Sequence, residues 1–143
     1  MIVNSLKGTK KLAQKLARTS CCRIIGLQGE LGSGKTTFVQ FFAKALGVKD
    51  KILSPTFVIF KSFVLKNKYF EKLYHFDCYR INQPKEILDL GFKEIIADKK
   101  NIILIEWSDK IEELLPSEAV ILEFRFIDKN KREINVRQKT SNN

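Results

Sequence analysis

Hydrophobic residues recur with helical and then strand-like spacing over the first third of the chain. Segment 9–19, TKKLAQKLART, has helical spacing behind Thr9, a residue type that commonly caps a helix. Segment 23–28, RIIGLQ, is short and mainly apolar, which is typical of a buried strand. Segment 36–47, TTFVQFFAKALG, predicts a helix that ends at Gly47. We expect the inward face of this helix to carry Phe38, Phe41, Phe42 and Ala45.

The middle of the chain predicts a pair of strands, an interrupted helix and a further buried strand. Segments 54–65 and 68–80 are rich in β-branched and aromatic residues, so two strands joined by a short turn are expected. Segment 84–100 begins with proline and predicts a helix that Gly91 interrupts. Segment 101–107, NIILIEW, is a continuous apolar run of strand length with an acidic residue near its end.

The last part of the chain predicts a helical turn, a hairpin and a polar tail. Segment 111–116, IEELLP, is a helical turn closed by proline, and segment 119–138 predicts two strands around the polar turn DKNK. In the first of these strands Leu122, Phe124 and Phe126 alternate with polar positions. The polar end 137–143, RQKTSNN, is expected to fray.

Length and composition favour one cytoplasmic domain. A chain of 143 residues with 44% hydrophobic content can bury one core, so we expect a single domain over residues 1–136. No apolar run approaches the roughly 18 residues that span a membrane, and the N-terminus resembles no signal peptide. Three cysteines, two of them adjacent, favour reduced thiols over a disulfide framework. A single histidine makes a hard cation with oxygen ligands the more plausible metal.

The charge balance favours anionic partners without identifying them. The 26 Lys and Arg residues exceed the 16 Asp and Glu residues, which gives a formal charge of +10. Such a chain favours RNA or phosphorylated ligands. The lysines are nevertheless spread along the sequence without interleaved aromatic residues, so charge alone leaves direct contact with nucleic acid open.

The segment GELGSGKTTF, residues 29–38, carries the most specific chemical signal. Gly29, Gly34, Lys35 and Thr36 match the phosphate-binding P-loop pattern, between a predicted strand and a predicted helix, where that pattern requires them. The glycines let backbone N–H groups curl around phosphate oxygens, and the helix N-terminus adds its positive dipole end. Lys35 would reach the terminal phosphates and Thr36 would offer a hydroxyl to Mg²⁺. The segment therefore predicts a nucleoside triphosphate site.

Two acidic residues that end apolar strands are candidates to complete this site. Asp77 ends LYHFD and Glu106 ends NIILIE. Acids at strand ends beside a P-loop commonly hold magnesium or orient water, although either could instead cap a helix or pair with a surface lysine.

Several motifs in one order resemble the TsaE (YjeE) ATPases, which help to make threonylcarbamoyladenosine in tRNA. The motifs are GELGSGKTTF, SPTF at 54–57, HFDCYR at 75–80, EILDLGF at 86–92 and IEW at 105–107. The resemblance implies an α/β fold of three layers, a P-loop NTPase-like fold whose central parallel strands carry antiparallel strands at the edges. It also implies ATP and Mg²⁺ as cofactors and partners of the TsaD and TsaB type, and it leaves open whether contact with tRNA is direct or indirect. Cys78 and Ser108 depart from the leucine and proline that the family pattern favours.

The resemblance assigns roles to individual residues. The phosphates would be wrapped by Gly32, Ser33, Gly34, Lys35, Thr36 and Thr37. Thr36 and Glu106 would hold magnesium, and Asp77 would act with Glu106 in catalysis by positioning water. Thr56 of SPTF would lie in a nucleotide-sensitive segment, and Thr9 and Arg132 would flank the nucleotide.

Rival functions can be weighed against the sequence. A GTPase would need an NKxD base reader after a buried strand, but the nearest match begins at Asn130 in a predicted hairpin turn and ends in Glu. A small-molecule kinase would need a lid with several arginines, and only Arg80 and Arg125 are candidates to point inward. A third alternative, a module that binds ATP without hydrolysing it, is left open by the sequence.

Trp107 could either pack in the core or line a partner surface. We expect an ATPase that is slow alone and whose nucleotide state governs docking on partner proteins.

Overall fold

A mixed sheet of seven strands runs through the part of the chain that the structure describes, which is residues 2–3, 5–19, 22–52 and 60–139 of a computed structural model. The strands are β1 (Ile2–Val3), β2 (Ile24–Gly29), β3 (Phe60–Val64), β4 (Lys72–Asp77), β5 (Asn101–Glu106), β6 (Val120–Asp128) and β7 (Lys131–Gln138). Their order across the sheet is β1-β7-β6-β2-β5-β4-β3. The four central strands β6, β2, β5 and β4 are parallel, and the pairs β3–β4, β6–β7 and β7–β1 are antiparallel. The expected parallel centre with antiparallel edges is confirmed.

Helices cover both faces of the sheet. They are α1 (Leu6–Ala17), α2 (Lys35–Ala45), α3 (Lys85–Leu88), α4 (Phe92–Ala97) and a 3₁₀ segment, Ser108–Leu114. One hydrophobic cluster joins α1 and α2 to one face of the sheet, and a second joins α3, α4 and the 3₁₀ segment to the other face. Every residue of β5 is buried because the strand is covered on both faces, as expected for a central parallel strand. The three-layer α/β architecture is confirmed.

The start of α1 differs from the prediction. The backbone N–H groups of Gly8 and Thr9 donate to the carbonyl of Ser5 at 3.1 and 3.4 Å, so Ser5 occupies the N-cap position. Thr9 therefore lies inside the helix, where it is buried, and its prediction as the cap is wrong. The glycine at position 8 weakens the local helix signal, but the Ser5 carbonyl accepts the first helical hydrogen bonds and adds one more turn.

The inward face of α2 also differs in part. Phe38 and Phe42 are fully buried, whereas Ala45 is exposed and Phe41 is only half-buried. The buried positions follow a stripe in which residues are three or four apart, and this stripe takes in Val39 and Ala43 instead. The helix ends as predicted, with Leu46 at the C-cap and Gly47 at φ 89°.

The C-terminal strand ends at Gln138, as the hairpin predicted over 119–138 requires, so the overlapping expectation of a frayed tail is wrong for its first two residues. Arg137 and Gln138, which were expected to fray, belong to β7. The Arg137 guanidinium lies 2.8 Å from Glu112 and 3.4 Å from Glu123, and the Lys139 N–H donates to the Ala119 carbonyl at 2.9 Å. These tertiary contacts order a segment that looks like a tail from composition alone. Residues 140–143 of the predicted tail lie outside the described residues.

Two further expectations concern thiols and membranes. Cys78 is a free thiol, and burial raises its pKa to about 12. Among the helices in the described ranges, none combines the length and the apolar character that crossing a bilayer would require.

Candidate functional site

The loop between β2 and α2 depends on glycines at three positions. Gly29, Gly32 and Gly34 have φ values of 145°, 76° and 105°, a region that L side chains rarely occupy. Gly29 is also constrained by space, since a Cβ atom there would lie 2.4 Å from the carbonyl oxygen of Phe124. The loop therefore passes close against β6 before it turns into α2, and it lies between a strand and a helix as predicted.

Lys35, the first residue of α2, is buried at the inside of this loop. Its ammonium group donates to the carbonyl oxygens of Gly29 and, at 3.0 Å, of Glu30. It also lies 3.9 Å from the centre of the Trp107 ring, in cation–π geometry. Burial lowers the pKa of Lys35, and the negative charge of Glu106 opposes that shift. The loop thus holds a desolvated cation at the position where the sequence predicted one.

Glu106, the last residue of β5, is the centre of a buried polar cluster. Its Oε1 accepts a hydrogen bond from the Thr36 hydroxyl at 2.8 Å, and its Oε2 lies 2.6 Å from Nε2 of His75. The side chains of His75 and Glu106 are only 1% and 3% exposed. The structure therefore brings together Thr36 and Glu106, the two predicted magnesium ligands, which are 70 residues apart in sequence.

Asp77 lies beside this cluster at the end of β4. It is the register partner of Glu106 in the parallel pair β4–β5, so the two acids end neighbouring strands at the same edge. Its Oδ1 accepts a hydrogen bond from the Tyr79 N–H at 3.0 Å. Burial raises the pKa of Asp77, and the nearby Glu106 charge raises it further. The carboxylate is half-buried and takes no part in the hydrogen bonds that join Glu106 to Thr36 and His75.

The other predicted residues lie at different distances from the loop. Arg132 lies next to it, because a Cβ atom built on Gly34 would be 3.8 Å from the Arg132 Nε. Ser33 is buried, and Thr37 is half-buried in the first turn of α2. Thr9 lies on the buried side of α1, which packs against α2. Thr56 of SPTF lies outside the described residues.

The two arginines considered for a kinase lid are exposed. Arg80 and Arg125 were the only candidates to point inward, and their exposure gives the kinase alternative no support. Arg125 lies within β6, and Arg80 lies in the turn after β4.

Two features at the site have no role predicted from the sequence. The first is His75, although a residue two before Asp77 on a strand must lie on the same face of the sheet. The second is a groove of about 730 Å³ beside the loop, lined in part by Leu31, Tyr79 and Trp107. Leu31 is 73% exposed and Tyr79 is 46% exposed, while Trp107 has the only positive φ of any non-glycine residue in the described ranges, 58°.

The arrangement is suited to an anionic ligand with a hard cation. The left-handed glycines and the start of α2 form a concave loop that could bind phosphate, and Lys35 supplies positive charge inside it. Thr36 and Glu106 present two oxygen atoms 2.8 Å apart, which suits Mg²⁺ with one or two protein ligands and several waters. In the described part of the chain no group of three or more His, Cys, Asp and Glu residues could hold a metal, so a site made wholly of such ligands is not formed there.

Comparison with known proteins agrees with this geometry. Residues 3–134 match the family described as "Threonylcarbamoyl adenosine biosynthesis protein TsaE". The chain belongs to the TsaE family. A TsaE protein of Rickettsia felis is 39% identical over 134 residues, which cover 92% of this chain and 75% of that protein. A TsaE protein of Aquifex aeolicus is 36% identical over 142 residues, covering 97% and 96%.

A solved structure supports the same family and its fold. The crystal structure of YdiB from Bacillus subtilis superposes with a TM-score of 0.76 at 29% identity, covering 98% of this chain and 84% of that chain. The fold resemblance inferred from the motifs is confirmed, and the family is one of tRNA threonylcarbamoyladenosine biosynthesis.

Proposed function

We propose that this TsaE-family chain binds ATP with Mg²⁺ and hydrolyses it slowly, as a switch that acts with other proteins of threonylcarbamoyladenosine biosynthesis. The observation that carries the proposal is the convergence of Lys35, Thr36 and Glu106 at one end of the glycine loop. A buried lysine beside two oxygen ligands suits a triphosphate with its metal better than it suits a neutral ligand.

Each residue has a part in the proposed site. The loop amides and Lys35 would bind the β- and γ-phosphates, and Thr36 with Glu106 would hold Mg²⁺. Bound Mg²⁺ would neutralise phosphate charge and polarise the phosphoryl group. Asp77, whose raised pKa favours proton uptake, would accept a proton from water or orient it. Arg132, which lies beside Gly34, would contact the nucleotide.

The partner role draws support from the groove. Leu31 and Tyr79 are exposed apolar side chains at the mouth of a cleft that Trp107 also lines, next to the phosphate loop. A partner of the TsaD or TsaB type that bound there would contact residues whose neighbours bind the nucleotide. Exchange of nucleotide could then change the docking surface, as in other switch NTPases.

The phosphate site can be tested by removing the Lys35 charge. We expect Lys35→Ala to weaken ATP binding by about 2 kcal/mol, roughly 30-fold, because a desolvated charge contact to phosphate is lost. Isothermal titration calorimetry measures the affinity. Lys44→Ala is the matched control, since Lys44 lies on the same helix but is exposed. Equal ATP affinity in wild type and Lys35→Ala would overturn the assignment.

Nucleotide choice and turnover need separate measurements. The NKxD-like segment at Asn130 lies in an exposed hairpin turn between β6 and β7, where the Asn130 N–H donates to Asp128, and this supports ATP over GTP. Competition binding should therefore favour ATP.

Hydrolysis should be measured for the chain alone and with TsaD- and TsaB-type proteins and tRNA. ATP binding with no hydrolysis in either setting would favour a module that binds ATP without hydrolysing it.

A further inference from the structure

We propose that His75 is a positioning residue, which fixes the Glu106 carboxylate so that one of its oxygens faces Thr36 and the magnesium ion. This inference deepens the proposed function and rests on it. It is carried by the contacts at the two carboxylate oxygens of Glu106, and it gives a role to a histidine that has none predicted from the sequence.

The two oxygens of Glu106 have different partners. Oε2 lies 2.6 Å from His75 Nε2 and Oε1 accepts from the Thr36 hydroxyl at 2.8 Å. With one oxygen held by an imidazole on β4, rotation of the carboxylate would break a short hydrogen bond in a buried place. The carboxylate is therefore held with Oε1 directed at the start of α2, which is where a metal ligand shared with Thr36 must point.

The burial of the pair shows why a partner is needed. His75 is 1% exposed and Glu106 is 2% exposed, so neither side chain can exchange its partner for water. A buried carboxylate without such a donor is costly, and an apolar pair would fill the same space at lower cost. Stability alone therefore does not explain why these two residues are buried here. Orientation of the Glu106 carboxylate does explain it.

The sheet explains how the contact is made. In the parallel pair β4–β5 His75 is the register partner of Leu104, two residues before Glu106, so both functional side chains lie on the face that packs against α2. Asp77, on the same face of β4, accepts from the Tyr79 N–H instead. His75 is therefore the β4 side chain bonded to Glu106, and Asp77 stays available for another role.

The first experiment examines the contact in the ligand-free protein. The chain has one histidine, so a ¹⁵N-histidine-labelled sample gives a single imidazole that needs no assignment. We expect a slowly exchanging, low-field Nε2–H proton that moves upfield in Glu106→Gln, because a charged acceptor is replaced by a neutral one. Absence of any shift in that variant would mean that His75 does not bond to Glu106, and would overturn the proposal whatever the protein binds.

The second experiment measures magnesium dependence. Partners of metal ligands typically affect metal affinity by about 10- to 100-fold, so His75→Leu should raise the Mg²⁺ concentration for half-maximal ATP binding by about tenfold. ATP binding in EDTA should change by less than about twofold, since the loop and Lys35 are untouched. His75→Gln, which places an amide N–H near the position of Nε2, should restore most of the magnesium affinity.

A matched control separates loss of the Glu106 carboxylate orientation from a general loss of stability. Phe76→Leu trims a fully buried neighbour on the opposite face of β4 and should lower thermal stability without changing the magnesium requirement. If His75→Leu does not fold, the labelled imidazole and His75→Gln still test the contact. The outcomes are distinguishable: wild-type ATP binding that ignores Mg²⁺ would refute the proposed metal site, whereas normal dependence in wild type and His75→Leu alike would refute the positioning role alone.

Discussion

At the scale of single residues, the two acids that end β4 and β5 have different surroundings. Glu106 is buried and bonded to Thr36 and His75, whereas Asp77 is half-buried and accepts one backbone N–H. Glu106, whose carboxylate contacts the Thr36 hydroxyl, is suited to bind a metal ion together with Thr36. Asp77, which borders the site, is suited to act on a water molecule. These placements lead to separate expectations for the two residues.

Substitution of each acid should separate metal binding from turnover. We expect Glu106→Ala to make ATP binding less dependent on Mg²⁺, while Asp77→Asn lowers partner-stimulated kcat by roughly 10²-fold with near-normal ATP affinity. Magnesium titrations of ATP binding, with kcat measured in parallel, distinguish the two. The opposite pattern, with Asp77→Asn abolishing the magnesium dependence, would exchange the assigned roles.

The raised pKa of Asp77 predicts a pH-dependent stability difference. Since its folded-state pKa lies above the unfolded value, the folded state gains stability from the protonated acid at low pH and loses that gain as pH rises through the folded pKa. Asp77→Asn should therefore raise the Tm of the nucleotide-free, magnesium-free protein more at pH 7.5 than at pH 4. Asp50→Asn, at an exposed position, is the control and should show no such difference. A Tm gain for Asp77→Asn that is the same at both pH values would contradict the argument.

At the scale of elements, the 3₁₀ segment packs unusually close to β2. A Cβ atom on Gly26 would lie 2.5 Å from Oγ and 2.8 Å from Cβ of Ser108, and 3.0 Å from Ile121 Cδ1. Ser108 is fully buried and immediately follows Trp107. The glycine in the apolar run RIIGLQ therefore lets the segment after β5 pack directly on the central strand, which helps to place Trp107 against Lys35.

This close contact predicts overpacking in a designed variant. Gly26→Ala should lower the free energy of unfolding by about 2 kcal/mol, because the added methyl group meets buried atoms. Combining it with Ser108→Gly should recover part of that loss, which a double-mutant cycle in urea would measure. Additive losses in the double variant would show that the clash lies elsewhere.

Elements of this fold were predictable to different extents. The central strands and α2 were predicted closely because their apolar runs and turn residues are local signals. The beginning of α1 was predicted four residues too late, at Thr9 instead of Ser5. Local sequence left Arg137 and Gln138 in both the predicted strand and the predicted tail, because their order depends on contacts distant in sequence, such as Arg137 with Glu112. Tertiary packing overrides local propensity most easily at the ends of elements.

At the scale of the whole molecule, charge is the dominant feature. The formal charge of +10 implies mutual repulsion among cations in the folded state. Helix α1 contributes to it, with Lys7, Lys11 and Lys15 exposed at intervals of four residues and no acid in its first turn. A lysine near a helix N-terminus also opposes the helix dipole.

Salt should consequently stabilise the molecule. Raising NaCl from about 0.05 to about 0.3 M should increase the Tm, because the range of the repulsion falls below about 10 Å. Replacing Lys7, Lys11 and Lys15 together with Gln should reduce this salt dependence and raise the Tm at low salt. A Tm that falls with NaCl in the wild type would indicate that attractive ion pairs outweigh the repulsion.

The identity of the main parts could be recognised from the order of residues alone. The glycine loop, Lys35, Thr36 and the acids at two strand ends are local patterns, and the α/β architecture and the TsaE family that they indicated are confirmed. The roles assigned to the site residues stay predictions, as does the choice of ATP and Mg²⁺. Local patterns succeed here because a phosphate loop and its helix are contiguous in the chain.

The contacts among the site residues are decided by the tertiary structure, which brings together strands and helices that are far apart in sequence. The register of β4 against β5 places His75 beside Glu106, 31 residues away, and the packing of α2 brings Thr36 to the other carboxylate oxygen, 70 residues away. The turn after β5 puts the Trp107 ring over Lys35 in the same way. No periodicity within one segment encodes such distances, because a one-residue shift in strand register would move every side chain to the opposite face.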